Sequence, residues 1–309
     1  MRLLPLLLAS TALAWNSDIH NQIGFIASTL LTPPTTALLP HLLPPTYNAS
    51  IGPAASWADS FRATPEGRFS AGWHFIDTLD SPPLKCEVHA SNCAASGCVI
   101  EAIATQTRVL TSCIADVRAG RLRGGSNETC NRALMWVVHF AGDVTQPLHA
   151  SGRGQGGNTV MVPWKGAVVR LHEVWDKLIP YSLAGVTSFP STSLAPWSAA
   201  LAARIATSPN SFLEPVKGWT ACVTPATAAQ CALEWARESN AWACKYVYAQ
   251  LVNGTDVSGS YAVGAGPVVE MQIGKAAVRL AAWLNALAAP VGTTAEEGER
   301  GEPHLALEL

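Results

Sequence analysis

Apolar residues return every three or four positions over long stretches of this chain, the spacing of helices that bury one face. Residues 99–119 carry the pattern without a proline, and residues 130–142, 197–206, 226–252 and 267–288 repeat it. The last begins with Pro267, at a position where a missing N–H is harmless. Strict alternation is confined to residues 158–163 and 167–170, which read as two short strands of a hairpin turning at Trp164-Lys165-Gly166. Between the periodic stretches lie Pro- and Gly-rich loops at 32–53, 80–97, 151–166 and 185–196. No internal repeat is visible. The pattern predicts an all-α fold: one mainly helical domain with long loops and at most a small β-hairpin.

The ends differ from the middle. Arg2, an apolar run to Leu8 and small residues up to Ala14 have the order of a secretory signal with cleavage after Ala12-Leu13-Ala14. The run falls short of the roughly 20 apolar residues that span a bilayer, and no later stretch reaches that length without charge or proline. Cleavage makes Trp15 the first residue of a mature domain over 15–290. Residues 291–309 are polar, with Gly and Glu clusters, and read as a disordered tail. Eight cysteines in an exported chain indicate a disulfide framework rather than thiolate metal sites. Cys93 and Cys98 flank a short Ser-Gly turn, and Cys222 and Cys231 another short segment. Sequons at Asn48, Asn127 and Asn253 fit the same extracellular or vacuolar route. With a net charge of −2, the chain has no basic block suited to duplex binding, so contact with nucleic acid must be local.

Histidines and aspartates carry the chemistry. His139 and Asp143 are four apart on a predicted helix and project from one face, and His172 and Asp176 repeat that spacing. His149 follows Gln146-Pro147-Leu148. Upstream stand Trp57-Ala58-Asp59, Trp73-His74-Phe75-Ile76-Asp77 and His20. One such pair is ordinarily a surface salt bridge. Two pairs, with further histidines and an aspartate set in apolar sequence, indicate buried donors that need a partner or a metal. Imidazole and carboxylate without thiolate suit zinc. His41, His89 and His304 lie in predicted loops or the tail and read as solvated. Trp57, Trp73, Trp136 and Trp175 flank the candidate ligands and shield them.

In order along the chain, Trp15…His20, Trp57-Ala58-Asp59, Trp73 to Asp77, His139 to Asp143, Gln146 to His149, Gly156-Gly157-Asn158 and His172 to Asp176 resemble the zinc-dependent single-strand-specific nucleases and 3′-nucleotidases. These are the fungal and plant nuclease I type, relatives of the bacterial zinc phospholipases C. Trp235 to Cys244 and Arg279 to Trp283 extend the match over nearly the whole mature chain. The resemblance implies three Zn²⁺: one held by Asp59, His74, His139 and Asp143, and one by His149, His172 and Asp176. The third would take His20, the bridging Asp143, and the α-amino group and carbonyl of Trp15. The amine becomes available only after signal cleavage, and metal binding displaces its proton.

The implied activity is hydrolysis of single-stranded RNA and DNA to 5′-phosphate products, and of 3′-mononucleotides, by a secreted monomeric enzyme. Zinc-activated water attacks phosphorus in line, oriented by Asp59, while zinc faces the leaving 3′ oxygen. Arg62 would neutralise the phosphoryl oxygens, Asn158 would hydrogen-bond phosphate or base, Phe75 would stack on a base and Asp77 would read its edge. The resemblance also implies the pairs Cys86–Cys244 and Cys93–Cys98. Elimination leaves Cys113 with Cys130 and Cys222 with Cys231, a pairing the sequence does not fix. The chain departs from the family's pattern at Asn16-Ser17-Asp18-Ile19, where glycines are usual, and at Gln155, where relatives tend to be apolar. Both departures bear on base preference more than on the chemistry. Two rivals fit the same metal ligands: a phospholipase C acting on lipid head groups, and a non-enzymatic zinc-binding module with closed coordination.

Overall fold

A computed structural model describes residues 15–186 and 194–289. The proposed signal segment 1–14, part of the loop at 185–196, and the tail 291–309 lie outside the described residues. Eleven α-helices are seen among those described. α1 (Ser17–Ser28), α2 (Pro33–Leu42), α3 (Ile51–Ala54) and α4 (Trp57–Arg62) come first. The long pair α5 (Val99–Arg118) and α6 (Glu128–Asp143) follows. After a hairpin, α7 (Leu171–Glu173) runs through a π-helical turn at Val174–Leu178 into α8 (Ile179–Leu183). α9 (Ala195–Thr207), α10 (Ala228–Trp242) and α11 (Ser260–Ala288) complete the set. Strands β1 (Met161–Trp164) and β2 (Ala167–Arg170) pair antiparallel, with Met161 opposite Arg170. Lys165 and Gly166 both take positive φ, 49° and 81°, which a two-residue hairpin turn with right-handed strand twist requires. No helix among the described residues is long and apolar enough to cross a membrane.

The core forms around α6. Its residues from Ala133 to Asp143 are all buried, so it is enclosed on every side. Asn127 caps its start, the side-chain oxygen accepting from the Cys130 amide at 3.1 Å. α5, α11, α4 and α1 pack around it. The Cys113–Cys130 disulfide joins α5 to α6, and Cys86–Cys244 ties the loop before α5 to the π turn after α10. Cys93–Cys98 and Cys222–Cys231 close short loops, so all eight cysteines are paired. Asn48, Asn127 and Asn253 are exposed.

Several predicted elements need correction. The 32–53 stretch is not a continuous loop, since α2 and α3 lie within it. Pro33 and Pro34 occupy the first turn of α2, where proline is favoured. α11 starts at Ser260, so Pro267 lies inside it rather than at its head. Both helices tolerate an internal proline for one reason. Pro40 and Pro267 free the carbonyls of Thr36 and Val263, and both residues are exposed, where an unpaired carbonyl costs little. The 226–252 stretch divides into α10 and a π turn at Ala243–Val247, ending when the Tyr248 amide bonds to the Ala243 carbonyl at 3.0 Å. β1 begins three residues later than expected and takes in Trp164. His41 lies on α2, where its Nδ1 accepts from the Gly124 amide at 3.2 Å, so it is not a solvated loop residue.

The segment 144–151, which links two candidate ligands, is buried throughout although it is not a regular α-helix. Buried carbonyls need donors, and α10 and α11 supply them. Ser239 Oγ donates to the Val144 carbonyl at 2.7 Å, Gln272 Nε2 to Thr145 at 2.5 Å and Asn240 Nδ2 to Ala150 at 2.7 Å. Behind this contact, Lys275 and Arg279 of α11 are buried and share Glu238 of α10, and Glu214 lies 2.5 Å from Lys275 Nζ. Glu238→Ala leaves two buried cations short of a counter-charge and is expected to cost about 3 kcal/mol of unfolding free energy in denaturant titration. Glu214→Ala, at a more exposed carboxylate, is expected to cost clearly less. Equal losses would contradict this account of how α10 and α11 are pinned.

Candidate metal centre and substrate cavity

Six separate segments deliver the ligand-type side chains to one place. α6 carries His139 and Asp143 on one face, and α1 presents His20 in its first turn, beside the point where the Asn16 side chain caps the Ile19 amide at 3.2 Å. α4 contributes Asp59. A 3₁₀ segment (Arg68–His74) ends on His74, and another (Pro147–Ala150) carries His149. The π turn after α7 brings Asp176 beneath His172. All eight of these side chains are buried, and the donor atoms form three groups. These are His20, His139 and Asp143; Asp59, His74 and His139; and His149, His172 and Asp176.

Asp143 stands at the centre. Its Oδ1 lies 3.2 Å from His20 Nε2 and 3.4 Å from His149 Nδ1; its Oδ2 lies 3.0 Å from both His74 Nδ1 and His139 Nε2. Asp59 Oδ1 is 3.7 Å from His74 and 3.8 Å from His139. In the third group, His172 Nε2 is 2.9 Å from Asp176 Oδ2 and His149 Nε2 is 3.8 Å from Asp176 Oδ1. Trp15 is fully buried, and the Asn16 amide donates to the Asp176 carbonyl at 3.3 Å, so the start of the domain abuts this group.

Main-chain carbonyls orient the imidazoles. His139 Nδ1 faces the Ala55 carbonyl at 2.7 Å, His149 Nδ1 the His74 carbonyl at 3.0 Å and His172 Nδ1 the Gly156 carbonyl at 2.5 Å. Each ring donates from Nδ1 to its carbonyl and turns Nε2 inward, the orientation that outer hydrogen bonds give metal-binding histidines. Gln146 Nε2 fixes Asp176 at 2.6 Å. Inside this shell, His74 Nε2, His149 Nε2 and Asp59 Oδ2 are buried without a hydrogen bond. Such atoms are costly unless a further group satisfies them. Orphaned donors of this kind, in a set of imidazoles and carboxylates without thiolate, fit divalent zinc.

Electrostatics agrees with that fit. Burial lowers the pKa of His74 to about 4, against the opposing pull of Asp143, and lowers His20, aided by His139. Both rings are thus kept neutral, as metal ligation requires. Burial opposes ionisation of Asp143 and Asp59, but His139 and neighbouring groups outweigh it and hold both carboxyls below their usual range. His139 goes the other way: burial lowers it, but Asp143 and Asp59 together raise it.

Gly142 makes the crowding possible. A Cβ there would sit 2.9 Å from His20 Cε1 and Nδ1. Its absence lets the His20 ring stack on His139 at 3.8 Å between centroids.

A cavity of about 210 Å³ opens over the ligands, lined by His74, His149 and His172 together with Arg62, Phe75, Asp77 and Asn158. The structure therefore brings every sequence-predicted substrate residue to the ligand cluster. Arg62 is buried and 2.8 Å from Asp59 Oδ1, so it is not a solvated surface cation. Phe75 is half-buried at the wall rather than in the core, and Asp77 stands at the exposed rim. Partial withdrawal from water raises the Asp77 pKa, opposed by His149 and His172. Asn158 Nδ2 donates to the Gln155 carbonyl at 2.9 Å. Leu148, Gln155 and Gly156 complete the lining, and Gln155 takes a left-handed φ of 53°. Beside the candidate ligands, Trp57, Phe61, Phe69, Trp73 and Trp136 form an aromatic cluster, and Trp175 is fully buried. A second hollow of about 110 Å³ shares Asn158 and His172 and adds Asn16, Arg170, Glu173, Asp176 and Lys177. Sequence reasoning gave Arg170, Glu173 and Lys177 no role, although they adjoin the His172/Asp176 pair.

A family model described as S1/P1 Nuclease matches residues 15–289. The chain belongs to the S1/P1 nuclease family. It is 32% identical to Nuclease S1 of Aspergillus oryzae over 296 residues, covering 93% of this chain and 98% of that protein. Nuclease P1 of Penicillium citrinum is 31% identical over 276 residues, with 88% and 97% covered. Endonuclease 3 of Arabidopsis thaliana is 31% identical over 280 residues, with 90% of each chain covered. S1/P1 membership makes this chain a nuclease-type hydrolase, with the His/Asp cluster beneath its cavity.

Gly142→Ala tests the packing in this S1/P1 site. The added methyl is expected to push His20 off His139 and to weaken zinc retention about 10–100-fold in chelator competition, with the helical circular dichroism unchanged. Wild-type zinc retention would contradict the close approach of α1 to α6.

Proposed function

We propose that this protein is a secreted, zinc-dependent endonuclease that hydrolyses single-stranded RNA and DNA to 5′-phosphate products and removes phosphate from 3′-mononucleotides. The observation that carries this reading is the shared cavity, where an aromatic wall, a carboxylate rim and a guanidinium open directly onto buried imidazoles and carboxylates. In this reading Asp59, His74, His139 and Asp143 hold one Zn²⁺, and His149, His172 and Asp176 a second. His20, Asp143 and Trp15 hold a third, with Trp15 donating its amine and carbonyl once a signal peptide has been cleaved after Ala14. Bound zinc supplies Lewis acidity, lowering the pKa of water from its bulk value to roughly 7 and drawing charge from phosphoryl and 3′ oxygens.

The chain's own groups do the rest. The Asp59 carboxylate accepts a hydrogen bond from the attacking water and aims it at phosphorus. The same carboxylate fixes the Arg62 guanidinium, whose N–H groups then meet the phosphoryl oxygens as negative charge builds on them. Asn158 Nδ2 donates to phosphate or base. The Phe75 ring stacks on an unpaired base, which contributes about 1–3 kcal/mol whatever the sequence. Asp77 accepts hydrogen bonds from the base edge. A base inside a duplex cannot enter the slot beside Phe75, which gives single-strand preference. Glycans on Asn48, Asn127 and Asn253 fit the extracellular or vacuolar route, and at Asn127 the capping oxygen stays free when Nδ2 carries the sugar. The enzyme acts as a monomer.

Because Asp143 faces four histidines, Asp143→Asn is expected to lower hydrolysis of single-stranded RNA by about 100-fold or more and to release more than one zinc per chain. Metal analysis beside the nuclease assay checks both. Full metal content in an inactive variant would contradict the bridging role, and wild-type activity surviving chelation would contradict the zinc-dependent reading itself.

A further inference from the structure

The second hollow adjoins the substrate cavity, with Asn158 and His172 in the walls of both. Its chemistry is different. It has no aromatic wall, and two cations, Arg170 and Lys177, stand around it with Asn16 and Glu173. The backbone that carries both cations belongs to the scaffold that carries the candidate ligands. Arg170 is the last residue of β2, opposite Met161 in the ladder, and the Leu171 amide that follows it donates to the Val160 carbonyl at 2.8 Å. Lys177 follows Asp176 in the π turn. The pair thus brackets His172 and Asp176 along the chain, so the backbone at each cation is placed together with the candidate ligands. Asn16 is held as well, its Nδ2 donating to Tyr181 Oη at 2.9 Å.

Under the proposed function Asp176 gives its charge to the metal. The remaining charged groups of the hollow are Arg170, Lys177 and Glu173, a net single positive charge. Lys177 Nζ also lies 3.9 Å from Glu173 Oε1, at a part-exposed contact. A single strand carries an anion at every nucleotide, and away from the zinc ions the chain itself, at a net charge of −2, has no general field to attract the neighbouring phosphates. Local cations beside the scissile position must supply that attraction.

We propose that the hollow formed by Arg170, Lys177 and Asn16 is a second phosphate subsite, which takes the phosphodiester neighbouring the one being cleaved. It rests on the nuclease reading and extends it: Arg62 serves the scissile phosphate, and this subsite serves the next one. A 3′-mononucleotide has no neighbouring phosphodiester and leaves the subsite unused. The subsite therefore favours strands over mononucleotides.

The test uses the mature secreted enzyme loaded with zinc, with a single-stranded oligonucleotide and a 3′-mononucleotide as parallel substrates across a salt series. Arg170→Ala and Lys177→Ala are each expected to raise KM for the oligonucleotide about tenfold with little change in kcat. Each is also expected to reduce the slope of log kcat/KM against log salt by about 0.7, one phosphate contact on a single strand. Arg170→Lys is expected to keep the slope. Mononucleotide hydrolysis reports on the folding and metal content of every variant. Oligonucleotide KM and salt slope unchanged in both alanine variants would overturn the subsite, as would equal losses on the two substrates. Wild-type enzyme inactive on both substrates would overturn the nuclease reading, and the subsite with it.

Discussion

Burying five imidazoles and three carboxylates within one cluster is the constraint on which the rest of this structure depends. Each group on its own loses favourable hydration, and several of their inward atoms have no hydrogen bond inside the protein. Coulombic attraction within the cluster offsets part of that cost: Asp143 and Asp59 stay ionised in spite of burial, and His139 is drawn toward its protonated form. Attraction of that kind does not satisfy inward lone pairs, and a divalent cation does. The scaffold is arranged to hold the donors while they wait. Carbonyls of Ala55, His74 and Gly156 take the outer ring protons, and α10 and α11 donate into the buried segment that carries His149.

A mainly helical frame suits the same constraint. Helical i,i+4 spacing sets His139 and Asp143 on one face without help, and in the turn after α7 it sets His172 over Asp176. The remaining ligands come from short segments at element ends: the start of α1, the single turn and a half of α4, and two 3₁₀ segments. Hydrogen bonds to main-chain carbonyls tie the two 3₁₀ segments in place: the Ile76 amide donates to the His149 carbonyl at 2.8 Å, and Asn240 Nδ2 donates to the Ala150 carbonyl at 2.7 Å. The hairpin contributes little to the core, yet its second strand leads directly into His172.

Much of this was legible in the sequence, for reasons that can be named. The α5, α6 and α9 patterns were long and free of proline, so periodicity located them to within a residue or two. The paired spacing of His139 with Asp143 and of His172 with Asp176 pointed to candidate ligands because helix geometry converts spacing into proximity. Proline misled twice. Pro33-Pro34 read as a loop although the first helical turn welcomes it, and Pro267 read as a helix start although an exposed Val263 lets a helix continue through it. The joining of His20 to His139, 119 positions away, has no local signal and came only from family resemblance. The placement of Arg170 and Lys177 around one hollow had no local signal for a related reason. A cation at the end of a strand and another on a helical turn look like ordinary surface residues until the fold sets them around one hollow.

The central claim is that freeing the Trp15 nitrogen completes a three-zinc cluster. Native mass spectrometry of the secreted, active enzyme tests it most directly, since one spectrum reports both the N-terminal residue and the bound metal. The account predicts a chain beginning at Trp15 with three Zn²⁺. An active chain that keeps residues ahead of Trp15, or one that holds fewer than three zinc ions at full activity, would contradict it.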